Sequence, residues 1–324
     1  MVDSSEILPP LTILIEWENA QDVDAYWVRR AMIALKRELV GNAHRLATKP
    51  RILYLFDERA VEARQIESFI AANAPKLSRY AEVEFIPTPG LTYYQLKNYG
   101  ASLARTDLVV MLDSDAGPEP GWLEGLVAPF ADPDVMAVAG FTTLGHDNVA
   151  SRMMALCWIF DLPSEREITV ARRAIHANNC AYRTAFFLAN PFPDLDAFKK
   201  QCGFWRREMD RRQVKWVRTA DAMTVHAPQP GSAFLMWRAW IEGRDRDFQG
   251  ARTVSPGRMA RLRYVARFWR KRVVRSTVRI VSKGDEVDLR PWQRPAALAL
   301  AYGYYTIGLI SGLWSALTVS RSES

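Results

Sequence analysis

Two carboxylates one residue apart, Asp113 and Asp115, follow the apolar run LVVML at 108–112. On a strand, side chains two residues apart point the same way. Two carboxylates at a strand end can hold one divalent cation, and hard oxygen ligands suit Mg²⁺ or Mn²⁺. Such an ion would neutralise a departing diphosphate. Asp and Ser also form turns, so an acidic turn is the plainer alternative. His226 follows another apolar run and precedes Ala-Pro, which places it at a strand end. Neutral imidazole there can act as a third metal ligand. A hydrogen-bonded structural histidine is the alternative. No two of the four histidines have zinc-ligand spacing. Cys157, Cys180 and Cys202 are too few and too scattered for a disulfide scaffold or a thiolate zinc site, and they fit a reducing, cytosolic setting.

The elements that must position these groups are visible as apolar runs. They lie at 11–15, 51–56, 83–86, 108–112 and 135–139, with helical patterns at 24–40, 60–73 and 92–104. Near-continuous apolar runs alternating with helices predict an α/β chain with a mostly parallel, buried sheet. In such sheets ligands bind beyond the carboxyl ends of the strands. Glu18, Asn19, Asp57, Asp113 and Asp115 occupy those ends.

The chain has 324 residues, of which 49% are hydrophobic and 24% charged. These are globular values and exclude a disordered or collagen-like chain. The first ten residues, MVDSSEILPP, have no basic start and no apolar core, so no secretory signal is expected. The net charge is +7. Between Ala251 and Gly284 lie eleven basic residues and no acidic one, and the rest of the chain holds 32 basic against 36 acidic side chains. A mildly acidic body thus carries one basic segment. Such a segment suits phosphate groups of lipid headgroups, nucleic acid or a lipid-linked phosphate.

The stretch 94–123, YQLKNYGASLARTDLVVMLDSDAGPEPGWL, resembles family 2 glycosyltransferases of the GT-A fold. The matching pieces are Lys97-Asn98 with Gly100, the LVVML strand, the DSD, and Pro120-Gly121-Trp122-Leu123. ILIEWEN, LYLFDE, HANNCAYRTAFF and WVRTADAMTVH follow the family in the same order, so the likeness covers about residues 11–245. It implies a GT-A domain over 1–250 and a C-terminal helical extension over 251–324. The implied reaction moves a sugar from a nucleotide-diphosphate donor, UDP-linked by preference, with inversion and with Mg²⁺ or Mn²⁺. Glu18, Asn19 and Asp57 would line the nucleoside pocket, and Lys97 would sit near the nucleotide. Asp113 would lie against ribose and metal, Asp115 would ligate the metal, and His226 would join them. His176, Asn179, Arg183 and Arg238 fall on the acceptor side.

One part of the pattern is missing. Inverting transfer needs a base to deprotonate the acceptor hydroxyl. The family's acidic pair falls here on Gln201-Cys202, which cannot serve. Asp194 and Asp196 are the favoured loop carboxylates, ahead of Glu208, which reads as a helix-face residue. The alternative is a non-catalytic nucleotide-sugar-binding or scaffold protein. A nucleotidyltransferase would need a Gly-rich basic loop after the first strand, where EWENAQD stands. The Gln-x-x-Arg-Trp motif of processive synthases is not matched at Trp237-Arg238-Ala239-Trp240. Arg238 and Arg244 could nonetheless clamp phosphate oxygens.

Residues 258–283 read as a helix with an apolar stripe of Met259, Leu262, Ala266, Trp269, Val273, Ser276 and Ile280. Basic residues cover most of the rest, which suits an anionic membrane surface. No nucleic-acid recognition module is present. Residues 295–320 carry no charge and are about one membrane span long. Gly308 and Gly312 form a GxxxG face for close helix packing, against the chain itself or in a homo-oligomer. The combined expectation is an enzyme held at the cytoplasmic face of the cell membrane, acting on a lipid-linked or saccharide acceptor.

Overall fold

The computed structural model describes residues 7–166, 174–228 and 231–320. The chain forms two compact units. The first comprises Met1–Thr143, Glu165–Asp194 and Cys202–Ala227, and the second Leu144–Ser164, Leu195–Gln201 and Pro228–Ser324.

The first unit begins with β1 (Leu11–Glu16), α1 (Glu18–Asp22), α2 (Ala25–Asn42), β2 (Arg51–Phe56), α3 (Ala63–Asn73) and β3 (Glu82–Pro87). Next come α4 (Tyr93–Ser102), β4 (Leu108–Asp113), β5 (Ala116–Pro118), α5 (Trp122–Val127) and β6 (Ala137–Leu144). The helix α6 (Val149–Cys157) belongs to the second unit. The first unit closes with β7 (Asn179–Arg183), α7 (Thr184–Ala189), α8 (Gln201–Arg211) and β8 (Trp216–His226). Among the described residues the strands form one sheet in the order β3-β2-β1-β4-β7-β6-β8-β5.

The first four apolar runs are the parallel half, β3-β2-β1-β4. Every residue of β1 and of β4 is buried, as continuous apolar runs require when helices cover both faces. Their register sets Glu16 beside Asp113, so two acidic strand ends meet. The other half departs from the expected parallel order. β7 runs antiparallel to β4 and β6, and β5 antiparallel to β8. Apolar periodicity reports burial and is silent on strand direction, so this reversal was not legible.

The Asp-Ser-Asp segment also differs from the strand geometry expected of it. β4 ends at Asp113, and Ser114 and Asp115 form the turn into β5. The chain leaves its pairing with β1 there and joins β8, with Ala116 opposite His226. The turn chemistry and the carboxylate chemistry therefore coexist in the same three residues.

The helix α4 is held close to the sheet. A Cβ on Gly100 would meet Leu55 Cδ1 at 2.6 Å and Leu14 Cδ1 at 3.2 Å, so glycine permits the approach. Thr92 and Gln95 form a capping box at its start. This fixes the turn that carries Tyr93 and Lys97.

The second unit adds α9 (Gly231–Thr253), α10 (Arg258–Ser282) and α11 (Arg294–Thr318) to α6. Its core includes Val265, Trp269, Ile280, Ala297, Ala301 and Tyr305. Trp269, Ser276 and Ile280 of the expected amphipathic stripe thus point into this unit, whereas Met259 is exposed. The GxxxG face of α11 is used within the chain: a Cβ on Gly243 of α9 would lie 2.2 Å from Gly308 O and 2.8 Å from Gly312 N. The segment Pro291–Thr318 is long and apolar enough to cross a membrane, with a mean hydropathy of 1.4 over its most apolar window.

Candidate functional site

Asp113 is the centre of a buried polar cluster in the first unit. Its Oδ1 accepts from Lys97 Nζ at 2.7 Å and from Tyr93 Oη at 2.8 Å. Its Oδ2 accepts from Asn19 Nδ2 at 3.1 Å. The backbone N–H of Asn19 donates to Glu16 Oε2 at 3.1 Å. The other carboxylate oxygen of Glu16 is buried without a hydrogen-bond partner among the described residues. Four elements supply these groups: the ends of β1 and β4, the first turn of α1, and one face of α4. Tyr93 and Lys97 share that face because they are four residues apart on a helix.

The electrostatics are strongly biased. Glu16, Asp113 and Asp115 are all buried, and Lys97 is the buried ammonium among them. Burial raises the Glu16 carboxyl well above its ordinary range, and the neighbouring Asp113 adds to the effect. Burial alone would lower Lys97, but the Asp113 and Glu16 carboxylates outweigh it and hold the ammonium above its usual value. Three carboxylates against one cation leave room for a divalent ion.

The ligand set fits such an ion. Donor atoms of Asp113, Asp115 and His226 all lie within 4.8 Å of one another, and all three residues are buried. His226 Nδ1 lies 2.8 Å from Ala227 O and 3.4 Å from Asp115 Oδ2. With Nδ1–H donated to the carbonyl, the imidazole lone pair resides on Nε2. Two carboxylates and one imidazole suit Mg²⁺ or Mn²⁺. The antiparallel β5–β8 pairing is what brings His226 to the Asp115 turn, and Ala227 N donates to Asp115 O at 2.8 Å.

Of the residues singled out in the sequence, Asn19, Lys97, Asp113, Asp115 and His226 come together. Glu18 is half-buried at the start of α1. Asp57 stands at the end of β2, where side-chain hydrogen bonds from Arg59 hold its carboxyl well below the usual range. Gly90 N lies 3.4 Å from its Oδ2. His176 lies in the loop before β7, with its carbonyl accepting from Asn179 N.

Two expected acceptor-side residues are engaged elsewhere. Asn179 is buried between strands; its amide donates to Phe141 O, Ala222 O and Thr224 Oγ1 and accepts from Trp122 Nε1. It joins sheet to helix and presents no open face. Arg183 donates to the carbonyls of Phe130, Asp132 and Val135. It pairs with Leu108, at the opposite end of β4 from Asp113, roughly 16 Å away at the strand rise per residue. The antiparallel direction of β7 is the reason. Arg238 is buried in the second unit.

Asp194 is exposed and accepts from Gln95 Nε2 at 3.3 Å, two residues along α4 from Tyr93. Asp196 is exposed in the same loop. Gln201 donates to Ala197 O, and Cys202 Sγ accepts from Tyr94 Oη, so both are fixed by local bonds. Two site members escaped the sequence reading. Glu16 resembles any strand end, although its place in the register with Asp113 follows once β1 and β4 are neighbours. Tyr93 reads as a core aromatic, but its spacing of four from Lys97 was the available signal.

Known proteins bear on this geometry. A family model described as "Glycosyl transferase family 2" matches residues 69–192. A pre-mycofactocin glycosyltransferase of Mycobacterium tuberculosis is 40% identical over 76 residues, 23% of this chain and 16% of that protein. Polypeptide N-acetylgalactosaminyltransferase 8 of Drosophila melanogaster is 29% identical over 161 residues, 46% of this chain and 26% of that protein. The match therefore spans only 16% and 26% of the length of these two relatives. Among solved structures, the mannosyltransferase PcManGT from Pyrobaculum calidifontis, in complex with GDP-Man and Mn²⁺, aligns over 96% of this chain and 88% of its own with a TM-score of 0.56. At 15% identity that likeness concerns the fold, which is GT-A. The family match takes in α4, all of β4 and the Asp113–Asp115 turn.

Proposed function

We propose that this chain transfers a sugar from a nucleotide-diphosphate donor to a hydroxyl acceptor, with inversion and with Mn²⁺ or Mg²⁺. The observation that carries the reading is the buried Asp113, Asp115 and His226 set lying beside Lys97 and Asn19. Asp113, Asp115 and His226 would hold the ion, which when bound supplies positive charge to a leaving diphosphate. Lys97 and Tyr93 orient the Asp113 carboxylate, and Asn19 ties it to the α1 turn. Asp57 would face the base or ribose, exchanging part of its Arg59 contact for the ligand. UDP-sugars are the favoured donors, and the GDP-Man bound by PcManGT makes GDP-mannose the second donor to test.

Asp194 or Asp196 would deprotonate the acceptor. Asp194 is supported by its tie to Gln95 on α4, the helix that carries Lys97. The acceptor is lipid-linked or a saccharide, and the basic face of α10 would hold the chain at an anionic membrane. A second reading, nucleotide-sugar binding without turnover, is favoured by one observation: Gln201 and Cys202 stand where the family's acidic pair belongs and are locked in local bonds.

Calorimetric titration of UDP, GDP, UDP-sugars and GDP-mannose, with and without Mn²⁺, tests the donor site on wild type and Asp115→Ala. Mn²⁺-dependent binding of one nucleotide, lost in the variant, supports the reading. Binding without any donor hydrolysis or transfer shifts it to the second. No nucleotide binding removes both.

A further inference from the structure

The second unit encloses another group of charges, which the metal site does not use. Arg238 on α9 is only 4% exposed. Its guanidinium lies over the Phe198 ring at 5.2 Å, and its Nη1 is buried with no hydrogen-bond partner among the described residues. Lys200 Nζ lies 3.9 Å from Asp245 Oδ2, and its side chain is 10% exposed. Asp245 is already engaged by the backbone, accepting from Phe198 N at 2.9 Å and Lys199 N at 3.2 Å. Glu242 accepts from Arg246 Nη2 at 2.9 Å and from Tyr304 Oη at 3.0 Å. Arg272 also acts electrostatically on Glu242.

The balance of these groups is uneven. Lys200, Arg238, Arg246 and Arg272 face Glu242 and Asp245, so cations exceed carboxylates by two. The nearby Arg261–Asp247 pair is bidentate and balances itself. An uncompensated buried charge is costly, and a protein answers by shifting protonation or by recruiting a counter-ion. The first response is visible. Burial, then the repulsion of Arg246, brings the Lys200 ammonium down to about 7. Burial would raise the Glu242 carboxyl, but Arg246, Lys200, Arg272 and Arg238 keep it well below its usual range.

We propose that Arg238 and Lys200 form a binding site for a phosphate dianion, carried by a phosphate ester that this unit recognises. The guanidinium fork matches two phosphate oxygens, and the ammonium supplies a point charge beside it. A dianion removes the excess of two positive charges and gives Arg238 Nη1 its missing acceptor. Phe198 faces the guanidinium in a cation–π contact. As an acceptor subsite this rests on the glycosyltransferase reading; as an anion site it does not.

The test uses the full chain in EDTA, which removes metal-dependent nucleotide binding. Inorganic phosphate and hexyl phosphate are titrated by calorimetry and by thermal unfolding, on wild type, Arg238→Gln, Lys200→Met and Asp115→Asn. Phosphate should raise the wild-type Tm. Binding should weaken at least tenfold in Arg238→Gln and in Lys200→Met. Without phosphate, Lys200→Met should melt no lower than wild type at pH 7, because an excess buried cation has been removed. That outcome also separates a site defect from misfolding. Asp115→Asn should bind phosphate as wild type does. Tighter binding of hexyl phosphate assigns an ester with an apolar tail, and equal binding assigns a soluble phosphate. No phosphate effect on wild type, or an effect unchanged in both cluster variants, overturns the proposal. Phosphate binding lost only in Asp115→Asn places the anion at the metal site and also overturns it, while leaving the donor reading intact. Failure of Mn²⁺-dependent nucleotide binding would remove the donor reading and leave the anion site standing.

Discussion

At the scale of single residues, Lys97 has no exposed surface and lies among three carboxylates. Replacing it with Met leaves Glu16, Asp113 and Asp115 without their buried ammonium. Removing one partner of a buried ion pair costs about 3–5 kcal/mol. Lys97→Met should therefore lower stability by that order in metal-free urea unfolding. Mn²⁺ should recover more stability in the variant than in wild type, because it replaces the lost charge. Equal metal-free stability of the two proteins would disprove the role given to Lys97. Lys200 responds to pH with a definite sign. Its folded value of about 7 lies below the unfolded value near 10.4. Between those limits the unfolded chain holds a proton that the folded chain lacks, so stability rises with pH. The groups facing Lys200 are Asp245, Glu242, Arg246 and Arg238. The Tm gain of Lys200→Met over wild type should be largest at or below pH 7 and shrink toward pH 10. A gain that does not vary with pH counts against a buried, depressed lysine.

At the scale of elements, close helix contacts replace large side chains in the second unit. Gly243 of α9 lies against the backbone of Gly308 and Gly312 in α11, which cannot yield as a flexible side chain would. Gly243→Ala should cost about 1–3 kcal/mol or more through overpacking. Gly303, on the same α11, has nothing within 4 Å of its Cβ direction among the described residues. Gly303→Ala should stabilise by about 0.5–1 kcal/mol, the helix propensity difference. Thermal unfolding of the two variants checks the pair, and a neutral Gly243→Ala would contradict the packing. The same elements show what a sequence can and cannot disclose. The runs of β1 and β4 end at the polar groups of the site, so Asn19, Asp113 and Asp115 were legible as strand-end residues. His226 was legible because Ala-Pro stops its strand. Arg183 was not, because placing it required the direction of β7, and no local pattern encodes direction. Tyr93 and Glu16 were hidden for a different reason. Their hydrogen bonds and charges matter only once α4 and β1 are set against β4.

For the whole molecule, the question is what the basic and uncharged C-terminal helices do together. α11 is long enough to span a bilayer, yet charged helices pack along it inside the second unit. Gly308 contacts Gly243, whose neighbour Arg244 is exposed. Tyr304 bonds Glu242, and Ser315 bonds Asp247. Arg261 donates to Ser315 O and Val319 O, with Arg263 and Arg267 exposed on the following turns. If α11 spanned with these contacts intact, Arg244, Arg263 and Arg267 would face hydrocarbon, at about 2.5–3.5 kcal/mol each near the bilayer centre. The exposed side of α11 is different. Ala296, Ala299, Gly303, Thr306, Ile310, Trp314 and Leu317 form one uncharged stripe along its length. Such a stripe suits a helix lying in the interface plane, with the arginines of α10 near anionic headgroups. Single cysteines placed by Gln293→Cys and Thr318→Cys test this arrangement, since the native cysteines are buried. On vesicles containing phosphatidylglycerol, an impermeant maleimide added outside should label both positions. Binding should weaken as KCl is raised and in Trp314→Asp. Protection of one cysteine with labelling of the other would mean that α11 crosses the bilayer, which requires it to leave α9 and α10 first.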